Sequence, residues 1–242
     1  MKASASDQRS ILDIQKFDLQ SSTLRNKAAN LPEITEISSL TIKQNNARDL
    51  RIAAETELSD VKRELARAEG DVEQIVTRIE RDEKRLSSGT GTPKELEQTQ
   101  HELVTLGARR AELEEVELEI MMRVDGIKER ITALSGQENQ LALEIADLNI
   151  RKENALAAIH TELEGIEADR KATTQSVSAE FLALYEKIRE ANNGIGAAAL
   201  AGNQCKGCNL TLNTIELQRI SGLAEDEVVR CEECRCILVR ER

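Results

Sequence analysis

Two runs of apolar residues, each recurring at alternating steps of three and four, leave this chain few folds to choose from. The first passes through Ile37, Leu40, Ala47, Ala54, Leu58, Val61, Leu65, Ala68, Val72, Ile75, Ile79 and Leu86, with Gln44, Arg51 and Asp82 as its polar exceptions. The second runs from Leu96 through Leu103, Leu106, Leu113, Ile120, Val124, Ile127, Ile131, Leu134, Leu141, Ile145, Leu148, Ala155 and Ile159 to Ile166. Its exceptions, including Arg110, Glu117 and Glu138, are spread out, so the register never slips. A mean step of 3.5 residues keeps one stripe of a helix facing a partner and imposes a left-handed supercoil.

The partner is set by what separates the runs. Ser87-Ser88-Gly89-Thr90-Gly91-Thr92-Pro93 carries two glycines and a proline, which end a helix. Thr92, Pro93 and Glu95 then announce the next one as N-cap, first helical residue and capping-box acid. So short a tip loop, 87–93, places the two helices side by side and antiparallel. Folding about residue 90 brings Leu58 near residue 122 and Ile14 near residue 166. An arm of about 50 regular residues would span roughly 75 Å at about 1.5 Å per residue. An earlier helix is expected over residues 8–30, with a kink at Leu31-Pro32-Glu33, where proline removes an amide donor and restricts Leu31.

Composition agrees. Charged residues make up 32% and aromatics 1%, with no Trp, one Tyr and two Phe, which argues against a deep globular core. Phe181 and Tyr185, one turn apart, are expected to cover the base of the next domain. The net charge is −11, and residues 191–242 hold six Lys and Arg against seven Asp and Glu. A grip on nucleic-acid phosphates would call for a basic footprint. No stretch is long and apolar enough to span a bilayer, and Met1–Gln20 lacks a signal-peptide core, so a cytoplasmic protein is expected.

All five cysteines fall after residue 190. Two domains follow: a coiled-coil hairpin over 1–190 and a small β-containing zinc ribbon over 191–242, in a chain that is otherwise mainly α. Cys205-Lys206-Gly207-Cys208 and Cys231-Glu232-Glu233-Cys234 are two C-x-x-C pairs separated by 22 residues. Each pair aims two sulfurs at one ion, and two pairs complete a tetrahedral thiolate site for zinc. So small a domain needs such a staple, worth about 10–16 kcal/mol in finger peptides. Cys236 lies outside this spacing and reads as a free thiol, the alternative being a spare ligand competing with Cys234. A short strand is expected near Ile195–Ala201, an Asn213-capped helix through Ile220, and strands around Val228-Val229 and Ile237–Val239.

Several segments resemble the bacterial family of coiled-coil proteins that end in a four-cysteine zinc ribbon. They are Leu31-Pro32-Glu33, Thr92-Pro93-Lys94-Glu95-Leu96 with His101-Glu102, the LYEKIRE stretch from Leu184, Cys205-x-Gly207-Cys208, and Cys231 to Leu238. The resemblance implies a helical hairpin topped by a ribbon, with Cys205, Cys208, Cys231 and Cys234 as ligands. Some similar proteins act as adaptors or chaperones in flagellar or secretion pathways, or are linked to an alternative sigma factor or RNA. The chain departs from the family at Cys234-Arg235-Cys236-Ile237-Leu238, where the pattern usually reads Cys-Gly-Arg-Ile-Leu.

Four thiolates close the coordination shell, and the chain shows neither a phosphate-cradling loop nor a catalytic triad order. These features point away from an enzyme and from a small-molecule substrate. The leading expectation is an adaptor that engages a protein partner, with no membrane role. A nucleic-acid-binding ribbon is the alternative, with Lys206, Arg219, Arg230, Arg235, Arg240 and Arg242 as candidate contacts. Against it stand the lack of ribbon aromatics and the formal charge of about −2 on a zinc tetrathiolate. A third reading is a zinc-thiol redox or chaperone switch that uses Cys236.

Overall fold

The computed structural model describes residues 1–240. The elements run α1 (Ala5–Ala29), α2 (Pro32–Ser87), α3 (Pro93–Thr174), α4 (Ala179–Ala191), β1 (Ala197–Ala201), β2 (Gln204–Cys205), α5 (Thr214–Ser221), β3 (Val229–Arg230) and β4 (Ile237–Arg240). The long helices form the expected hairpin, and the strands form a small four-stranded sheet after it. The chain divides into two compact units, Thr35–Asn149 and a second built from Met1–Ile34 with everything from Ile150 onward. The change from helix to strand near residue 190 is therefore not the edge of a compact unit, because α1 and the last turns of α3 belong with the ribbon.

In Thr35–Asn149 the core is narrow. Ala54, Val61, Val124 and Ile127 are buried, with Leu58, Leu65, Ile120 and Ile131 packed against them. Two of the polar seam positions answer one another, since Arg51 Nε donates to Glu138 Oε2 at 2.9 Å while its Nη1 reaches Glu55 at 2.7 Å. The turn into α3 is a capping box. The Thr92 amide donates to Glu95 Oε2 at 2.8 Å, and the Glu95 amide donates to Thr92 Oγ1 at 3.4 Å.

The other unit departs from the sequence expectations at its helix ends. α1 starts three residues early, because Ser4 Oγ accepts from the Asp7 amide at 3.0 Å. It stops before Pro32, which opens α2, and Leu31 between them is buried beside Leu24 and Ile159. α3 continues to Thr174 although its apolar seam fades after Ile166. Ion pairs hold these last turns to α1: Arg170 grips both oxygens of Asp18 at 2.7 and 3.1 Å, and Arg25 meets Glu167 at 2.9 Å.

The sheet order is β2-β1-β4-β3, with β1 and β4 parallel and both outer pairs antiparallel. Alternation along β1 and β4 gives the sheet two apolar faces. Ala197, Ile237 and Val239 join Ile11, Ile14, Phe181, Tyr185 and Ile188. Ala198, Leu200 and Leu238 join Ile220 of α5 and the cysteines. Phe181 and Tyr185, both fully buried, thus cover the base of the ribbon as expected. No helix among the described residues is long and apolar enough to cross a membrane.

Candidate metal centre

The two C-x-x-C segments fold into the same turn. In the first, the Cys205 amide donates to the Leu210 carbonyl at 3.0 Å and the Asn209 amide donates to the Cys205 carbonyl at 2.8 Å. In the second, the Cys231 amide donates to the Cys236 carbonyl at 2.9 Å and the Arg235 amide donates to the Cys231 carbonyl at 3.1 Å. The residue after the second cysteine is left-handed in both, with φ of 59° at Asn209 and 64° at Arg235. Asparagine accepts that conformation readily; arginine does so against the steric preference of a Cβ. Gly207 is required by crowding, since a β-carbon there would stand 3.1 Å from Ala198 Cβ and 3.3 Å from Cys236 Sγ.

The turns bring the four sulfurs of Cys205, Cys208, Cys231 and Cys234 within 4.8 Å of one another. Cys205 Sγ lies 3.9 Å from Cys234 Sγ, and Cys208 Sγ lies 4.0 Å from Cys231 Sγ. A tetrahedral ion about 2.3 Å from each of four sulfurs would set them about 3.8 Å apart, so the cluster can hold a metal ion. Cys205 and Cys231 are buried, while Cys208 and Cys234 are half-buried.

Crowding thiols together without a cation favours their neutral form. Burial, with the neighbouring Cys231 and Cys205 sulfurs adding to it, pushes the Cys234 thiol up to about 12. Burial raises Cys236 well above the ordinary thiol range as well. A bound dication reverses that logic by stabilising each thiolate. Cys236 is not a solvent-facing thiol: it is fully buried, with its sulfur 3.2 Å from Cys234 Sγ and 3.7 Å from Cys205 Sγ.

The basic residues singled out in the sequence have varied fates. Lys206 Nζ donates to Gln204 Oε1 at 2.6 Å. Arg219 pairs with the buried Glu216 at 2.5 and 2.7 Å. Arg230 Nε donates to the Arg235 carbonyl at 3.0 Å, and Arg235 itself forms the left-handed corner of the second turn. Arg240 is spent on the fold, because its guanidinium donates to the carbonyls of Ile220, Leu223, Ala224, Glu225 and Glu227 at 2.7 to 3.3 Å. Arg242 lies outside the described residues.

Three supports of the centre were not read from the sequence. The Gln15 side chain accepts from the amides of Gly196 and Ala197 at 2.6 and 3.1 Å and donates to the Gly194 carbonyl at 2.9 Å, fixing the entry to β1. Its signal was a polar residue on the stripe Ile11, Ile14, Gln15, Asp18 of α1. Asp18 accepts from the Tyr185 hydroxyl at 2.7 Å while paired with Arg170. The chain start also pairs with the segment before β3: the Ala3 amide donates to the Asp226 carbonyl at 2.7 Å and Lys2 meets the Asp226 carboxylate at 2.9 Å. Beside the first turn, Leu12, Lys16, Leu19 and Thr23 of α1 face Ala198, Lys206 and Gly207 across a groove of about 490 Å³, with Glu162 at its side.

The comparisons with known proteins agree with this architecture. The profile of the CT398-like coiled coil hairpin domain matches residues 14–193. An uncharacterized protein of Mycobacterium tuberculosis is 35% identical over 244 residues, covering 99% of this chain and 98% of its own length. One from Mycobacterium leprae is 24% identical, covering 95% and 98%. A solved Mycobacterium smegmatis structure is 30% identical, with a TM-score of 0.87 over 100% of both chains. The structure of CT398 from Chlamydia trachomatis is 17% identical with a TM-score of 0.69, covering 97% and 98%, and shares the fold. The match over 14–193, together with the close mycobacterial relatives, shows that the chain belongs to the CT398-like coiled-coil hairpin family.

Proposed function

We propose that this chain is a non-enzymatic, zinc-stabilised adaptor that engages a protein partner at the junction of ribbon and coiled coil. The observation that carries the reading is the cluster of four cysteine sulfurs within 4.8 Å. An all-thiolate tetrahedral donor set suits zinc, and a shell filled by four protein ligands leaves no position for a reacting water or substrate. When bound, zinc would cross-link the two turns and add its binding energy to the packing of the sheet's two apolar faces. Thiol ligands of this kind call for a reducing compartment, which supports a cytoplasmic setting.

The groove beside the first turn is the surface we assign to the partner. Leu19 remains 48% exposed there, and two lysines, Lys16 and Lys206, line the groove against a single carboxylate, Glu162. A segment presenting apolar side chains and an acidic group would complement it. Affinity capture from native cytoplasm, with and without nuclease, tests the reading. We expect a protein that survives nuclease and is lost with Leu19→Asp or Lys206→Glu, while zinc content stays unchanged. Capture only of nuclease-sensitive RNA or DNA, weakening steeply with salt, would replace it with the nucleic-acid reading.

A further inference from the structure

We propose that Cys236 is a reserve ligand of the metal centre, placed to take over the coordination position of Cys234. The inference rests on the zinc reading above and adds to it a fifth functional sulfur. The repeated turn geometry gives Cys236 the place that Leu210 holds in the first turn, as the residue whose carbonyl accepts from the leading cysteine amide. Leu210 is 51% exposed, whereas Cys236 is wholly buried. What differs is what the side chain meets, and for Cys236 that is the metal cluster.

The distances make the exchange short. Cys236 Sγ already stands 3.7 Å from Cys205 Sγ, about the edge of a zinc tetrathiolate tetrahedron. It lies 3.2 Å from the position of Cys234 Sγ. One change of χ1 between staggered wells moves a cysteine sulfur by about 3 Å, a displacement as long as that step. The opposite turn leaves the room: Gly207 has no side chain, and a β-carbon there would crowd Cys236 Sγ at 3.3 Å. Of the two half-buried ligands, Cys208 and Cys234, it is Cys234 whose sulfur lies beside the enclosed Cys236. The exchange is proton-neutral. Cys236 gives up its thiol proton as its sulfur–zinc bond forms, and the departing Cys234 thiolate takes one up as its own bond breaks.

Zn2+ affinity, measured on the full chain against a competing chelator, tests this with Co2+ absorption as a second readout. We expect Cys234→Ala to bind one Zn2+ within about tenfold of wild type, and the added Cys236→Ala to cost about a further hundredfold. The Co2+ thiolate charge-transfer band should persist in Cys234→Ala and fall in the double variant. Cys208→Ala, at the other edge of the cluster, should lose affinity equally with or without Cys236. Equal weakness of Cys234→Ala and the double variant would overturn the inference while leaving the zinc reading intact; a wild-type chain that takes up no Zn2+ would overturn both. Should Cys234→Ala not fold, chelator-driven release decides: we expect Cys236→Ala alone to speed Zn2+ loss, and unchanged release would contradict the proposal.

Discussion

Gly196 lies against the ring of Tyr185 so closely that a β-carbon there would stand 2.5 Å from its Cε2 and 2.9 Å from its carbonyl oxygen. The ring cannot yield, because it is fully buried and its hydroxyl donates to Asp18 Oδ2 at 2.7 Å. Nor can the backbone, since the Gly196 amide is held by Gln15. Gly196→Ala should therefore destabilise the protein by about 2–3 kcal/mol, the range of an overpacked core. Tyr185→Phe keeps the packing and loses one hydrogen bond to a carboxylate, for about 1.5–3 kcal/mol. Thermal unfolding of the two variants checks both values.

Arg240 offers a direct separation of structural from nucleic-acid roles. Its guanidinium gathers five carbonyls between Ile220 and Glu227, so Arg240→Lys cannot reproduce the geometry although it keeps the charge. We expect Arg240→Lys and Arg240→Met to lower stability alike, by about 2–3 kcal/mol. A lysine variant as stable as wild type would show that only the charge matters.

The left-handed Arg235 is a local cost that glycine would remove. Arg235→Gly relieves about 1–2 kcal/mol of steric strain and returns part of it through the freer unfolded chain. A net gain of about 0.5–1 kcal/mol is expected in the metal-loaded protein. Asn209→Gly should gain less, because asparagine tolerates the same angles. Melting temperatures of the two variants, compared with wild type at fixed metal concentration, give the answer.

The capping box at the tip sets a pH response. The Thr92 amide, then its hydroxyl, hold the Glu95 carboxyl below its ordinary value. A lowered folded pKa gives stability that is complete above the unfolded value, about 4.3, and is lost as pH falls through the folded one. Amide resonances of residues 92–96 should thus report fraying of the start of α3 only below about pH 4. Glu95→Gln, which can still accept from the Thr92 amide, should show no such transition. A wild-type tip that is insensitive across this window would contradict the capping role.

What could be read in the sequence was what local chemistry encodes. Thr92-Pro93-x-Glu95, Asn213 before α5, the two cysteine pairs and the seven-residue repeats each carry their partners within a few residues or within a period. Gln15, Arg240 and Lys2 do not: their partners stand at residues 194–197, 220–227 and 226, and no spacing rule links them. The end of α3 escaped for a related reason. Its last turns are held by Arg170–Asp18 and Arg25–Glu167, and ion pairs leave no apolar period to follow. Arg51 and Glu138 were visible as interruptions of two seams, but only the fold shows that one interruption answers the other.

On the function proposed above, one zinc ion on four thiolates organises the ribbon, and the metal content of the purified protein tests this. Elemental analysis of the natively purified chain, alongside Cys205→Ala/Cys231→Ala, should find one zinc per wild-type chain and none in the variant. Chelation of the wild type should then erase the ordered signals of β1 to β4. A chain that is purified without zinc, or one that loses its zinc and keeps the sheet unchanged, would contradict the account.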